Sequence, residues 1–408
     1  MQIQYQYKGK LFNDIRDITH NNNMKIDYET LLQEYLPYQI FVSGKTIWEG
    51  LTIQPSCKFR ADVQHRSRVN GKELLQTAMD EYLKQYDFDK KDSAITVSGG
   101  LDSAIVALCM QPDICYSGYY DGDETCNERN AAYEVIERIP AATYTPYCLT
   151  EEDFITTLSQ YIATIGTPIG GLGGVMEMAV LRKAKEAHNL KSVVFGNGGD
   201  EIFMGYYWNH FIMELADLGE QSLRYIRNFT PARQNMLQKI MPMAFDMALC
   251  RWDTAIAHHP RIFNISANDG LSVLEKILSI NINKTLPSLL HINNQICNAV
   301  GVKGHNPLAN RYLINRAVSL CKNNGGPPKY YLRSLDMDIP DSIRDSTVKT
   351  GFKIPVEQWC NVNMMIKESC ESFFRRKLPG ITPYEYNNID RKSWGVFMAE
   401  LFIQSTER

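Results

Sequence analysis

The chain has 408 residues, of which 44% are hydrophobic and 22% charged, with 43 basic against 46 acidic side chains and a formal charge of -3. That balance excludes the strongly basic surface of a nucleic-acid binder and the basic face of a membrane-surface protein. The length exceeds the ~250–300 residues at which one core stops growing, so more than one domain is expected.

The amino-terminal stretch MQIQYQYKGK is too polar for a signal peptide, and no run of ~18 apolar residues is long enough to span a bilayer. Ten cysteines are scattered without a CxxC pair. This argues against a zinc site or a disulfide framework and for reduced thiols in a cytoplasm. Residues 1–70 read as a small β-rich region, with apolar runs at 38–42 and 45–50 around a Ser43-Gly44 turn. From 72 to 86, Leu74, Leu75, Ala78, Met79, Tyr82 and Leu83 recur at helical spacing.

Between 94 and 204, strand-like and helix-like segments alternate. Strands are expected at 94–97, 115–120, 143–147 and 192–195, and helices at 104–110, 128–139, 151–165 and 175–188. This alternation predicts an α/β fold, a doubly wound and mostly parallel sheet that binds ligands at the carboxyl ends of its strands. Beyond 207 the pattern is mainly helical, broken by Pro231, Pro260, Pro287, Pro307 and the Gly325-Gly-Pro-Pro328 stretch. The expected division is a β-rich region at 1–70 and an α/β domain with a helical carboxyl-terminal part at 71–408.

Three segments carry chemistry. Residues 98–103 read SGGLDS between an apolar strand and a helix. A strand turning through two glycines into a helix aims backbone N–H groups at one point, as a phosphate site requires. Ser98 and Ser103 can donate to phosphate, Gly99 and Gly100 admit the backbone closely, and Asp102 can hold Mg²⁺. The loop lacks the lysine of GxxxxGK[ST], so positive charge must come from elsewhere. Residues 193–206 repeat the theme, a strand running into Gly196-Asn-Gly-Gly-Asp200-Glu201. If the two strands are neighbours, Asp102 and Asp200 face each other and bind Mg²⁺ on a nucleotide; otherwise Asp200 and Glu201 only charge a helix amino terminus. The third segment, residues 344–359, offers cations in a loop. Lys349 is the candidate for stabilising a leaving pyrophosphate.

In this order and at these intervals, the three segments resemble the synthetase domain of the asparagine synthetase family, pyrophosphate-loop ATP pyrophosphatases that include β-lactam synthetase. Weaker matches are residues 116–128, Thr167-Pro168, Leu286-Pro287, Asn306-Pro307-Leu308 and Lys329-Tyr-Tyr-Leu-Arg333, so the likeness covers about residues 72–362. The resemblance implies ATP and Mg²⁺, adenylation of a substrate oxygen at the α-phosphate, and displacement of AMP by a nucleophile. It assigns Ser98, Gly99, Gly100, Asp102 and Ser103 to pyrophosphate, Asp102 and Asp200 to Mg²⁺, and Lys349 to the developing charge. Gly196 is then expected near the ribose or phosphate, and Tyr119 or Tyr120 near the adenine.

Two departures narrow the substrate. Glutamine-dependent members carry a cysteine after the initiator methionine, where this chain has Gln2, and only about 70 residues precede the synthetase helix. Glutamine hydrolysis is therefore not expected, and residues 35–56 read as the tail of a lost domain. Asn197 stands where the family motif GEGADE has glutamate; an amide cannot act as a base but hydrogen-bonds in both directions. The changed segments 292–295 and 305–310 make aspartate an unexpected substrate.

Three readings of the function stay open. An amide ligase activates a carboxylate for an amine or ammonia. A thionating enzyme activates a nucleobase or amide oxygen and relays sulfur through Cys109, Cys115 or Cys126, with Cys115 as catalytic thiol. A non-catalytic relative only binds a nucleotide. The expected partners are a small-molecule substrate, an enzyme delivering ammonia or sulfur, or a second copy of the chain, and neither nucleic acid nor membrane.

Overall fold

A computed structural model describes residues 1–64, 71–86, 88–121, 127, 129–214, 216, 270–321, 328–346, 354–379, 381 and 389–407. The amino-terminal sheet is antiparallel: β1 (Ile3–Tyr7) lies between β2 (Lys10–Phe12) and β3 (Thr52–Pro55). The apolar runs expected to pair near the Ser43-Gly44 turn are not its strands. Leu36–Tyr38 is helical, ending at Gln39 in the left-handed region, and residues 45–50 wrap as a loop. There Ile47 and Trp48 are buried, and their pairing is a single antiparallel bridge between Trp48 and Ile26.

The helix Gly71–Tyr86 leads into the central parallel sheet. Its strands are β4 (Ser93–Thr96), β5 (Ile114–Tyr119), β6 (Thr143–Cys148), β7 (Ser192–Val194) and β8 (Lys303–His305), in the spatial order β6-β5-β4-β7-β8. Ala94, Ile95, Cys115, Tyr116, Val193 and Val194 are fully buried, as strands covered on both faces must be. The helix Leu101–Met110 after β4 is apolar nearly all round and equally enclosed. Strand β8 was not expected from the sequence, because three residues reading Lys-Gly-His carry no apolar run.

The chain runs outward from β4 through β5 to β6, then returns to place β7 on the other flank of β4. Ala94 pairs with both Ile114 and Val193. The winding reverses at the carboxyl ends of β4 and β7, the place where open α/β sheets hold ligands.

The amino- and carboxyl-terminal parts grip the segment joining the helix Glu151–Ile165 to the helix Gly173–His188. Trp48 Nε1 donates to the Gly166 carbonyl at 2.5 Å, and Trp394 Nε1 to that of Gly170 at 3.2 Å. His291, on the helix Leu286–Val300, lies 2.9 Å from the Ile165 carbonyl through Nε2 and 2.8 Å from the Tyr5 hydroxyl through Nδ1. Gln295 also donates to that hydroxyl. One buried polar chain thus ties β1 to the core. Among the described residues no helix is long and apolar enough to cross a membrane.

Burial lowers the His291 pKa to about 4, against an ordinary 6.5. Between those values the unfolded chain binds a proton that the folded chain refuses. Stability is therefore expected to fall as pH falls through this window, by about 1.4 kcal/mol per unit from this group. Urea unfolding from pH 7 to 4 should show a shallower loss in His291→Gln than in the parent chain.

Candidate active site

The turn after β4 is built as the sequence leads one to expect. Gly99 has φ +72°, a region that side chains avoid, and Gly100 caps the helix Leu101–Met110. The first N–H groups of that helix have no intrahelical acceptor. Ser103 Oγ lies 3.1 Å from Ser98 Oγ, accepts from the Ser98 amide at 3.2 Å and donates to the Gly100 carbonyl at 3.0 Å. The two hydroxyls are held together at the mouth of the turn.

The second turn, residues 196–199, lies directly against the first. A Cβ on Gly196 would stand 2.8 Å from the Ser103 amide nitrogen, and one on Gly199 would stand 2.2 Å from the Asp102 carboxyl. Position 196 requires glycine because two backbones touch, and position 199 because the Asp102 carboxyl occupies the space of a side chain. Gly196 thus packs on the residue 98–103 turn itself.

Asp102 and Asp200 are brought to one point, and the group between them is Lys329. Its ammonium lies 2.5 Å from Asp102 Oδ2 and 2.8 Å from Asp200 Oδ1. Burial acts to lower the Lys329 pKa, but the two aspartate charges outweigh it and hold the group above the usual lysine range. Lys329 itself has φ +59°, a strained conformation for a side-chain-bearing residue. It stands at the start of the short helix Tyr330–Arg333. Arg344 steadies the following turn by donating to the carbonyls of Arg333 at 2.7 Å and Leu335 at 2.9 Å. Lys349, expected to be the working cation, lies outside the described residues, as does Cys126.

The other expected residues are placed as follows. Tyr119 and Tyr120 end β5; the Tyr119 ring receives the Arg129 guanidinium at 4.5 Å, and Tyr120 is buried edge-on to Trp359 at 5.8 Å. Cys115 is fully buried in β5, where burial pushes its thiol to about 12, and Cys109 is pushed to about 11. Neither has the lowered pKa that a sulfur relay needs.

Asn197 belongs to a polar chain that the sequence did not reveal. Its Nδ2 donates to Asn293 Oδ1 and, at 3.1 Å, to Asn306 Oδ1. Asn293 Nδ2 in turn donates to Glu177 Oε1 at 2.5 Å. Burial pushes the Glu177 carboxyl up to about 7, and the Asn293 bond only partly offsets this. Asn306 is fixed by its amide N–H on the Tyr82 hydroxyl at 3.1 Å. Four residues from the helix Gly173–His188, the end of β7, the helix Leu286–Val300 and the end of β8 converge. Only the polar runs at 292–295 and 305–310 hinted at it.

The carboxylate pair suits a hard cation, since two oxygen donors already converge on a positive charge. Among the described residues no group of three or more His, Cys, Asp or Glu side chains forms a metal cluster. Oxygens of a bound ligand would have to complete a coordination shell. Replacing Lys329 by Gln leaves the two enclosed carboxylates facing each other. Lys329→Gln is expected to cost about 3 kcal/mol at pH 7 in urea unfolding, with a smaller deficit at pH 5, where one carboxylate takes up a proton.

Comparison with known proteins agrees with this geometry. No curated protein matches the chain. The family model described as asparagine synthase, a family of ATP-dependent amide-forming or adenylating synthetases, matches residues 70–385, and no glutaminase domain is indicated. Covering both glycine turns, Lys329 and the Asn197 network, that match makes the chain a member of the asparagine synthase family.

Proposed function

We propose that the protein is an AMP-forming ligase that adenylates a carboxylate and passes the acyl group to an amine or ammonia, without glutamine as nitrogen source. The observation that carries this reading is the meeting of Asp102, Asp200 and Lys329 at the mouth of the residue 98–103 turn. A carboxylate oxygen of the substrate attacks the α-phosphorus of ATP, and the bond from that phosphorus to the bridging oxygen breaks. The charge that develops is on the departing pyrophosphate. We assign the N–H groups at the start of the helix Leu101–Met110 and the Ser98 hydroxyl to receive it, with Ser103, whose own hydroxyl donates to the Gly100 carbonyl, holding Ser98 in place.

On ATP binding the Lys329 ammonium transfers from the carboxylates to phosphate oxygens, which leaves Asp102 and Asp200 to hold Mg²⁺. When bound, Mg²⁺ supplies charge neutralisation of the polyphosphate. Lys349 in the neighbouring segment is a second cation for the same charge. In the second half-reaction the amine nitrogen bonds to the acyl carbon, the carbon–oxygen bond to AMP breaks, and the surplus proton leaves the nitrogen for solvent or a phosphate oxygen. Asn197 is no base and cannot take that proton. Tyr119 and Tyr120, at the end of β5, are candidates for framing the adenine. The enclosed, protonated thiols of Cys109 and Cys115 favour nitrogen over sulfur as the nucleophile.

Pyrophosphate release from ATP and Mg²⁺, measured across carboxylic acids and nucleobases with mass spectrometry of the products, tests the reading. AMP and pyrophosphate are expected in equal amounts with at least one carboxylate. Asp102→Ala and Asp200→Ala should each lower the rate about a hundredfold or more. AMP formation with a nucleobase and with no carboxylate would overturn the amide assignment.

A further inference from the structure

The Asn197 network points to a residue that no motif assigns. An asparagine side chain is ambiguous, since either end can face a ligand, and which end does so decides whether the site offers a donor or an acceptor. Here the ambiguity is resolved in three steps. Glu177, as a carboxylate, can only accept, so Asn293 must turn its Nδ2 toward Oε1. That turns Asn293 Oδ1 toward Asn197, which must answer with Nδ2. The second hydrogen of the same Nδ2 is taken by Asn306 Oδ1. Both donors of Asn197 are occupied, and its Oδ1 is left as an acceptor on a half-buried residue between two glycines that touch the pyrophosphate turn and the Ala309 backbone.

We propose that Glu177 is the positioning residue for the nucleophile: acting through Asn293, it fixes the Asn197 amide so that Oδ1 accepts an N–H of the incoming amine beside the adenylated carboxylate. This rests on the amide-forming reading above. An amine held through one N–H keeps its lone pair directed away from that bond, toward the acyl carbon. A hydroxyl nucleophile has one hydrogen, and water has no anchoring substituent. The acceptor therefore suits a primary amine, which has both a second N–H and an anchoring substituent, and the chain's carboxylate works from one helix away instead of from position 197.

The chain of bonds depends on Glu177 being ionised. The titratable groups that face it are Tyr161 on the helix Glu151–Ile165, Tyr116 on β5 and Cys297 on the helix Leu286–Val300. Burial pushes all three up and keeps them neutral near pH 7. Below about pH 7 Glu177 gains a proton and can donate, Asn293 is free to turn over, and the order of the chain is lost.

Hydroxylamine as the amine probe tests this, with a carboxylate that releases pyrophosphate in the panel above. The readout is the concentration of unprotonated hydroxylamine that diverts half of the turnovers into hydroxamate. For the parent chain it should rise as pH falls through about 7. In Glu177→Gln it is expected to be at least tenfold higher at pH 8 and flat across that range. In an Asn197→Ala background Glu177→Gln should add nothing, because the two act in series. A half-trapping concentration unchanged by Glu177→Gln, or a pH limb that persists in it, overturns the proposal. So does an undiminished Glu177→Gln effect on Asn197→Ala, which would make Glu177 merely structural. A panel in which no carboxylate releases pyrophosphate removes the amide reading instead, and this proposal falls with it for that separate reason.

Discussion

Two ionised carboxylates that meet at a largely buried point need a cation between them or a shared proton, and the site is organised around that constraint. Asp102 and Asp200 leave adjacent strands of one sheet and would repel each other at this separation. Lys329 stands between them, in a strained backbone conformation that its two ion pairs help to sustain. The same electrostatics suit the proposed chemistry: a cation lies where the proposal brings a polyphosphate, and the two carboxylates converge where it places a divalent ion.

The two turns meet because β7 returns beside β4 instead of extending the sheet past β6. Gly196 then lets the two backbones touch, and Gly199 leaves room for the Asp102 carboxyl. Farther out, the segment between residues 165 and 170 receives Trp48, His291 and Trp394 from three distant stretches of the chain. Its restraint fixes the start of the helix that carries Glu177. The amino-terminal sheet, whose Tyr5 is linked to His291, is thereby tied to the segment that leads into the Glu177 helix.

Much of the fold was legible. The apolar runs at 94–97 and 192–195 had no polar face to show, which marks strands covered on both sides, and the helix at 151–165 carried its own boundaries in Thr150, Asp153 and Gly166. The amino-terminal strands were less so. Residues 38–42 and 45–50 are as apolar as strands but are buried by tertiary packing in helical and loop conformations, and periodicity cannot tell these apart. Strand β8 is too short and polar to announce itself; its pairing with β7 comes from the sheet, not from its composition.

The order of residues along the chain was sufficient to determine the glycine turn at 98–103, its helix and the family, because those depend on contiguous residues whose glycines and hydroxyls have few other uses. It also supplied Asp102 and Asp200 as a pair, conditional on their strands being neighbours. Which cation joins them, where Gly196 packs, and which way the Asn197 amide faces were decided only in three dimensions. Lys329 comes from 129 residues beyond Asp200 and Glu177 from 20 residues before Asn197. A lone lysine or glutamate has no local signature, since its role is set by the charges and amides that folding brings within hydrogen-bonding reach.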